Sequence, residues 1–88
     1  MLGLLPILPL LAPLDDGIID PPENLRTIID KASEFVAKHG PEFERRLIVS
    51  NAGNPMLNFL NSLDPHHAYY QHKLAEFRVL KFNLQLNN

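Results

Sequence analysis

The chain has 88 residues, no cysteine and a net charge of −2, with 45% hydrophobic and 20% charged residues. This composition is typical of one small globular domain, and it excludes a disulfide-stapled fold or a cysteine-bound zinc. All basic residues lie between Arg26 and Lys81, whereas the acids Asp15, Asp16 and Asp20 precede them. The compact part is therefore close to neutral, which gives no electrostatic footprint for nucleic acid.

The beginning of the chain is apolar and interrupted by prolines. It reads MLGLLPILPLLAPLDDG and contains no Lys or Arg. A signal peptide needs a basic start and a continuous apolar centre, and a membrane-spanning helix needs about 20 unbroken apolar residues. We therefore expect an extended or disordered segment over residues 1–19, a domain over residues 20–80, and no membrane partner.

Two helices separated by a very short link are predicted next. Asp20 is a candidate N-cap, with Pro21 at the first helical position. One apolar stripe follows at helical spacing: Leu25, Ile28, Ile29, Ala32, Phe35 and Val36. Gly40 is expected to end this helix with positive φ, and Pro41 to begin the second helix, which ends before the breakers at Asn51–Pro55.

A short turn and a third helix complete the prediction. Residues 56–60 are too few for an independent helix, so we expect a single 3₁₀ turn that drives Phe59 and Leu60 into the core. Asp64-Pro65 predicts the start of a third helix, which should end near Leu80 and leave residues 81–88 as a disordered tail. The fold class is thus all-α, with five inward aromatic residues: Phe35, Phe43, Phe59, Tyr70 and Phe77.

The third helix begins within DPHHAYYQHK, which holds three of the four histidines. Its histidines are spaced by one, five and six residues, whereas two helical metal ligands pair best at three or four. We therefore expect no metal site. His67 and Tyr70 fall on the buried stripe, and Tyr69 lies beside it, so the stretch is expected to build a helix face.

Catalysis is not indicated either. Ser50 and Ser62 have no G-x-S-x-G setting, and the chain has neither a cysteine nucleophile nor a glycine-rich phosphate loop. We expect a protein that is not an enzyme and that needs no cofactor.

A set of motifs resembles the SURP (SWAP, suppressor-of-white-apricot) module of pre-mRNA splicing proteins. The residues that carry the resemblance read FVAKHGPEFE, then NFL, then DPHHAYYQHKLAEF, and they cover most of residues 21–77. The resemblance implies a fold of two helices, a 3₁₀ turn and a third helix. Two positions depart from the family: Leu57 replaces a frequent aromatic residue, and Lys31 replaces an exposed leucine of some partner-binding modules.

The resemblance also implies function by contact. SURP modules bind short segments of other splicing proteins through an apolar surface patch, without catalysis or cofactor, so we expect a monomeric nuclear module that acts in branch-point recognition and spliceosome assembly. On the helical wheel one flank of the first helix should face a groove against the second helix. The candidate partner-binding residues are Thr27, Lys31, Glu34 and Lys38 on this flank, with Tyr69 on the third helix.

The alternative is an RNA-binding module that uses a basic helix surface. Seven basic residues could gather on one side, with Tyr69 stacking a base: Arg26, Lys31, Lys38, Arg45, Arg46, Lys73 and Arg78. Neighbouring acids such as Glu42 and Glu44 interrupt that surface, and a charge run on a helix is usually a solvated face.

Overall fold

The computed structural model describes residues 18–86, and every regular element in that range is helical. The elements are α1 (Glu23–His39), α2 (Pro41–Ser50), a 3₁₀ helix (Pro55–Leu60) and α3 (His67–Leu86). The all-α fold predicted from the sequence is confirmed. The segment expected at residues 1–19 lies outside the described residues, except for its last two.

Helix α1 begins two residues later than predicted, at Glu23 rather than at Pro21. Its N-cap is Pro22, with φ −57° and ψ 155°. A residue before proline is pushed out of the helical region, so Pro21 cannot open the helix as predicted. Asp20 therefore does not cap; its carboxylate pairs with the Arg26 guanidinium at 3.3 Å.

Gly40 makes the sharp turn between α1 and α2. Its φ of +95° confirms the predicted positive value. The Gly40 N–H donates to the Val36 carbonyl at 2.8 Å, and the Gly40 carbonyl accepts from the Phe43 N–H at 3.1 Å. One residue thus ends the first helix and starts the second.

The core lies where α1, the 3₁₀ helix and α3 meet. Its buried apolar residues are Ile29, Val36, Ala37, Phe59, Leu60, Tyr70 and Leu74. Phe59 and Tyr70 are buried as predicted, and Phe43 and Phe77 are partly buried against this cluster.

The prediction for Phe35 was wrong, because its side chain is 51% exposed. Ser33 takes the buried place on α1 instead, since its hydroxyl is satisfied by the Ile29 carbonyl one turn earlier. The buried face of α1 is therefore rotated about the helix axis by about one residue relative to the apolar stripe predicted from the sequence.

Helix α3 differs from its prediction at both ends. It begins at His67 rather than at Pro65, after a turn in which the His66 N–H donates to the Asp64 carboxylate at 3.4 Å. It continues to Leu86, so residues 81–86 are helical and the tail predicted there is wrong for those residues. The extension touches α1, because the Lys81 ammonium donates to the Ala37 and Lys38 carbonyls. None of the helices within residues 18–86 is long and apolar enough to cross a membrane.

Candidate functional site

Side chains of the DPHHAYYQHK stretch hold α3 against the neighbouring elements. The His67 Nδ1 atom lies 2.8 Å from the Phe59 carbonyl, which ties the first turn of α3 to the 3₁₀ helix. His72 contacts Glu76 one turn later at 3.0 Å. Within residues 18–86 no three metal-binding side chains come together.

The two adjacent tyrosines bond to two different helices. The Tyr69 hydroxyl donates to Asp30 of α1 at 2.9 Å, and the Tyr70 hydroxyl donates to Glu44 of α2 at 2.6 Å. Burial, reinforced by the bond to Asp30, raises the pKa of Tyr69 to about 12. Because this hydroxyl is already engaged, the ring of Tyr69 rather than its polar tip is left for further contacts.

The four predicted residues of α1 share an exposed face. Thr27, Lys31, Glu34 and Lys38 are all exposed, and the Thr27 hydroxyl donates to the Glu23 carbonyl of its own helix. Helix α2 lies on a different side of α1, where the Phe35, His39 and Phe43 rings meet at centroid distances of 5.3–6.4 Å. We call these three rings the aromatic patch. The ring contacts of α2 are therefore made with Phe35 and His39 rather than with the predicted flank.

A groove forms between the end of α1 and the extension of α3. We call it the α1–α3 groove; its volume is about 380 Å³. Its lining residues are Glu34, Ala37, Lys38, Phe77, Leu80, Lys81, Leu84 and Gln85. The structure therefore brings Glu34 and Lys38 into one groove, whereas Thr27, Lys31 and Tyr69 lie outside its lining.

The α3 side of this groove was missed by sequence reasoning. Leu80 and Leu84 are 55% and 65% exposed, although they face a concave surface. With Phe77 they stand at spacings of three and four, which continues the helical stripe of α3. That signal was present, but apolar residues also alternate at Phe82, Leu84 and Leu86, as in a strand without a partner, and residues 81–88 were therefore predicted to be a disordered tail.

Several of the basic residues proposed for an RNA surface are paired with acids. Arg45 pairs with Glu42 at 2.7 Å, and Lys73 pairs with Glu76 at 3.1 Å. With Arg26 held by Asp20, three of the seven cations proposed for an RNA surface have acidic partners. A continuous phosphate track needs unneutralised cations, so this arrangement does not favour RNA.

Comparisons with known proteins agree on one family. The model of the Surp module matches residues 20–84. A probable splicing factor 3A subunit 1 of Arabidopsis thaliana is 60% identical over 63 residues, covering 72% of this chain and 8% of that protein. The human splicing factor 3A subunit 1 is 55% identical over 62 residues, 70% of this chain and 8% of its own length.

A more distant relative comes from fission yeast. The pre-mRNA-splicing factor sap114 of Schizosaccharomyces pombe is 47% identical over 62 residues, which are 70% of this chain and 13% of that protein. The chain thus spans only a small part of the relatives it matches. Because the family model covers most of the chain, and does so over the helices described above, the chain belongs to the SURP family.

Proposed function

We propose that the chain is a non-catalytic protein-interaction module that binds a short segment of another splicing protein. Relatives that carry the same module are named as splicing factors, which supports a nuclear role in branch-point recognition and spliceosome assembly. Since the chain covers about a tenth or less of most of these proteins, the role proposed for it is that of one contact within a larger assembly.

The observation that carries the proposal is the exposed apolar wall of the α1–α3 groove. Leu80 and Leu84 line the cleft and remain more than half exposed, beside Phe77, which is partly buried against the core. Contiguous exposed apolar surface on a small protein commonly marks an interaction site. A helical or extended segment could place an apolar anchor against this wall, as hot-spot residues do at protein interfaces.

The charges at the edge of the groove indicate what should flank that anchor. Lys38 and Lys81 line the groove, together with a single acid, Glu34. The α3 residues 77–86 contain no acid. An acidic residue beside the partner's anchor would therefore speed association and fix its orientation.

The other predicted residues retain supporting roles in the proposal. Thr27 and Lys31 extend the exposed face of α1 beyond Lys38, so a segment that leaves the groove would pass over them. Tyr69 lies further along the α1–α3 seam through its bond to Asp30. We expect changes at these positions to weaken binding less than changes in the groove.

The test begins with capture of this chain's partners from nuclear extract, followed by mapping of the bound segment to a synthetic peptide. Titration of that peptide into labelled chain, followed by NMR, should shift signals on both walls of the groove. Leu84→Glu should abolish binding and Lys38→Glu should weaken it about tenfold, because each places a charge against an apolar or acidic part of the peptide.

The matched controls lie on the aromatic patch side. Arg46→Glu reverses an exposed charge on α2, and Phe35→Ser removes a half-exposed ring, without altering the groove. Both variants should bind like the parent chain. Loss of binding in Phe35→Ser with normal binding in Leu84→Glu would move the site to the aromatic patch and refute this location.

A further inference from the structure

A second cleft lies between the C-terminal end of α2 and the 3₁₀ helix. Its volume is about 290 Å³, and it shares no lining residue with the α1–α3 groove or the aromatic patch. Four asparagines line it at spacings of three, four and three residues: Asn51, Asn54, Asn58 and Asn61. The splicing-protein contact proposed above makes no use of them.

Backbone bonds fix the orientation of three of these amides. The Asn51 Nδ2 group donates to the Leu47 carbonyl at 2.9 Å. The Oδ1 atoms of Asn54 and Asn61 accept backbone N–H groups at 3.0 and 2.9 Å, respectively. Since a side-chain amide has one carbonyl and one NH₂ group, Asn51 still offers an acceptor, whereas Asn54 and Asn61 still offer donors.

Asn58 adds an amide that makes no side-chain hydrogen bond within residues 18–86. The cleft thus presents both donors and acceptors, most of them already held in place by the fold. Groups that are ordered before binding lose less conformational entropy when a ligand arrives.

The rest of the lining is largely aliphatic. Leu47, Ile48, Leu57 and Leu60 line the cleft between the asparagines, and Ile48 remains 44% exposed there. An apolar side chain seated on these residues would lose water contact together with them, which is favourable in proportion to the apolar area removed from water.

We propose that this cleft binds an extended, uncharged peptide segment. An aliphatic side chain of the segment contacts Ile48 and its neighbours, while its main-chain N–H and C=O groups bond to the asparagine amides. The alternation of donor and acceptor along a peptide backbone matches the mixed set that the cleft presents.

The chemistry of the lining favours a peptide over RNA. No Lys or Arg lines the cleft, so a phosphate backbone would meet no counter-charge. No aromatic side chain lines it either, so an unstacked base would find no ring to stack on.

The experiment titrates the blocked peptide acetyl-Gly-Leu-Gly-amide into ¹⁵N-labelled chain and follows the asparagine side-chain NH₂ signals. We expect these signals and the backbone signals of residues 47–61 to shift together with saturation. Asn58→Ala should weaken binding about two- to tenfold, as expected for the loss of one or two hydrogen bonds. Ile48→Ser should weaken it through the aliphatic contact.

Asn83→Ala is the matched control, because Asn83 is an exposed asparagine on α3 away from the cleft. It should bind the peptide like the parent chain. The proposal is overturned if the asparagine signals stay unchanged up to about 20 mM peptide, if the shifts map to the α1–α3 groove, or if Asn58→Ala binds as tightly as Asn83→Ala. Shifts caused by a uridine oligonucleotide but not by the peptide would overturn it in favour of RNA. Apart from shifts that map to the α1–α3 groove, none of these results would bear on that groove, whose test uses different variants.

Discussion

The Tyr70 hydroxyl donates a 2.6 Å hydrogen bond to the Glu44 carboxylate, which joins α3 to α2 at the edge of the core. Tyr70 is fully buried, whereas Glu44 is partly exposed. Burial first, and the bond to the carboxylate second, raise the pKa of Tyr70 far above its ordinary value. The phenol therefore remains a hydrogen-bond donor throughout the physiological pH range.

Removing that hydroxyl should destabilise the fold without leaving a cavity. Tyr70→Phe keeps the ring against Phe59 but deprives Glu44 of its donor. We expect the free energy of unfolding to fall by about 1.5–3 kcal/mol, the usual range for a hydrogen bond to a charged group. Urea unfolding followed by circular dichroism measures this value.

The control for Tyr70→Phe is Arg45→Ala, which breaks an ion pair on the same helix as Glu44. The side chains of Arg45 and its partner Glu42 are both mostly exposed. Such pairs typically contribute less than about 1 kcal/mol. Equal losses in Tyr70→Phe and Arg45→Ala would show that the Tyr70–Glu44 bond adds little to stability.

The two tyrosines also predict how stability depends on alkaline pH. They are the only tyrosines in a chain without tryptophan, so ultraviolet absorbance reports their ionisation directly. Burial and the bond to Asp30 raise the pKa of Tyr69 to about 12, against an unfolded value of about 10. Folding thus favours the neutral phenol, and this contribution is complete below pH 10 and is lost as pH rises towards 12.

We expect little tyrosinate absorbance at pH 10, and loss of helical circular dichroism together with ionisation above it. The Tyr69→Phe variant isolates Tyr70, whose ionisation should then require still more alkaline solution or unfolding. Half-ionisation near pH 10 with the helical signal intact would contradict the burial of both phenols.

Two phenylalanines should respond very differently to truncation. Phe59 is 1% exposed and packs on Tyr70, so Phe59→Ala should cost about 3–5 kcal/mol and unfold much of the population. Phe35 is half exposed, so Phe35→Ala should cost about 1 kcal/mol or less. Thermal unfolding of both variants measures the difference, and a comparable loss of stability would restore Phe35 to the core.

The contrast shows what the sequence could establish about the fold. The order of elements followed from strong local signals, namely Gly40-Pro41, the short 3₁₀ segment and the Asp64-Pro65 start. The rotation of the buried face of α1 could not be predicted in this way, because a serine counts as polar in any apolar pattern. Ser33 is buried only because the helix itself satisfies its hydroxyl, and that depends on three-dimensional packing.

The candidate site also contains residues that the sequence predicted and residues that it did not. Glu34 and Lys38 were found on the exposed face of α1, since helical periodicity alone places them there. Their neighbours across the groove could not be assigned, because residues beyond Leu80 alternate like a strand. In the structure these residues are helical, and Lys81 contacts the end of α1, which lies more than forty positions away in the sequence.

Gly40 should tolerate no L-amino acid without strain. Its φ of +95° and ψ of 178° fall in a region used almost entirely by glycine. A Cβ atom there would meet nothing within 4 Å, so the cost of Gly40→Ala, about 1–3 kcal/mol, is a backbone cost alone. Chain assembled by ligation with D-alanine at this position is the control, because D-residues favour positive φ. If the L- and D-alanine chains unfold at the same temperature, strain at Gly40 is not the cause.

Lys81 should hold the extension of α3 against α1. Its ammonium donates to the Lys38 carbonyl at 3.0 Å and to the Ala37 carbonyl at 3.3 Å, two groups at a helix end that lack intrahelical partners. Lys81→Met keeps the apolar stem but removes these bonds, so we expect a loss of about 0.5–1.5 kcal/mol and faster amide exchange over residues 82–86. Lys73→Met is the control, because Lys73 pairs with Glu76 inside α3 and its loss should leave exchange at 82–86 unchanged. Equal exchange in both variants would mean that Leu80 and Leu84, rather than the lysine bonds, hold the extension in place.

The Lys81→Met variant also tests the proposed function. If the wall of the α1–α3 groove depends on Lys81, this variant should bind the captured peptide more weakly, in proportion to the increase in amide exchange over residues 82–86.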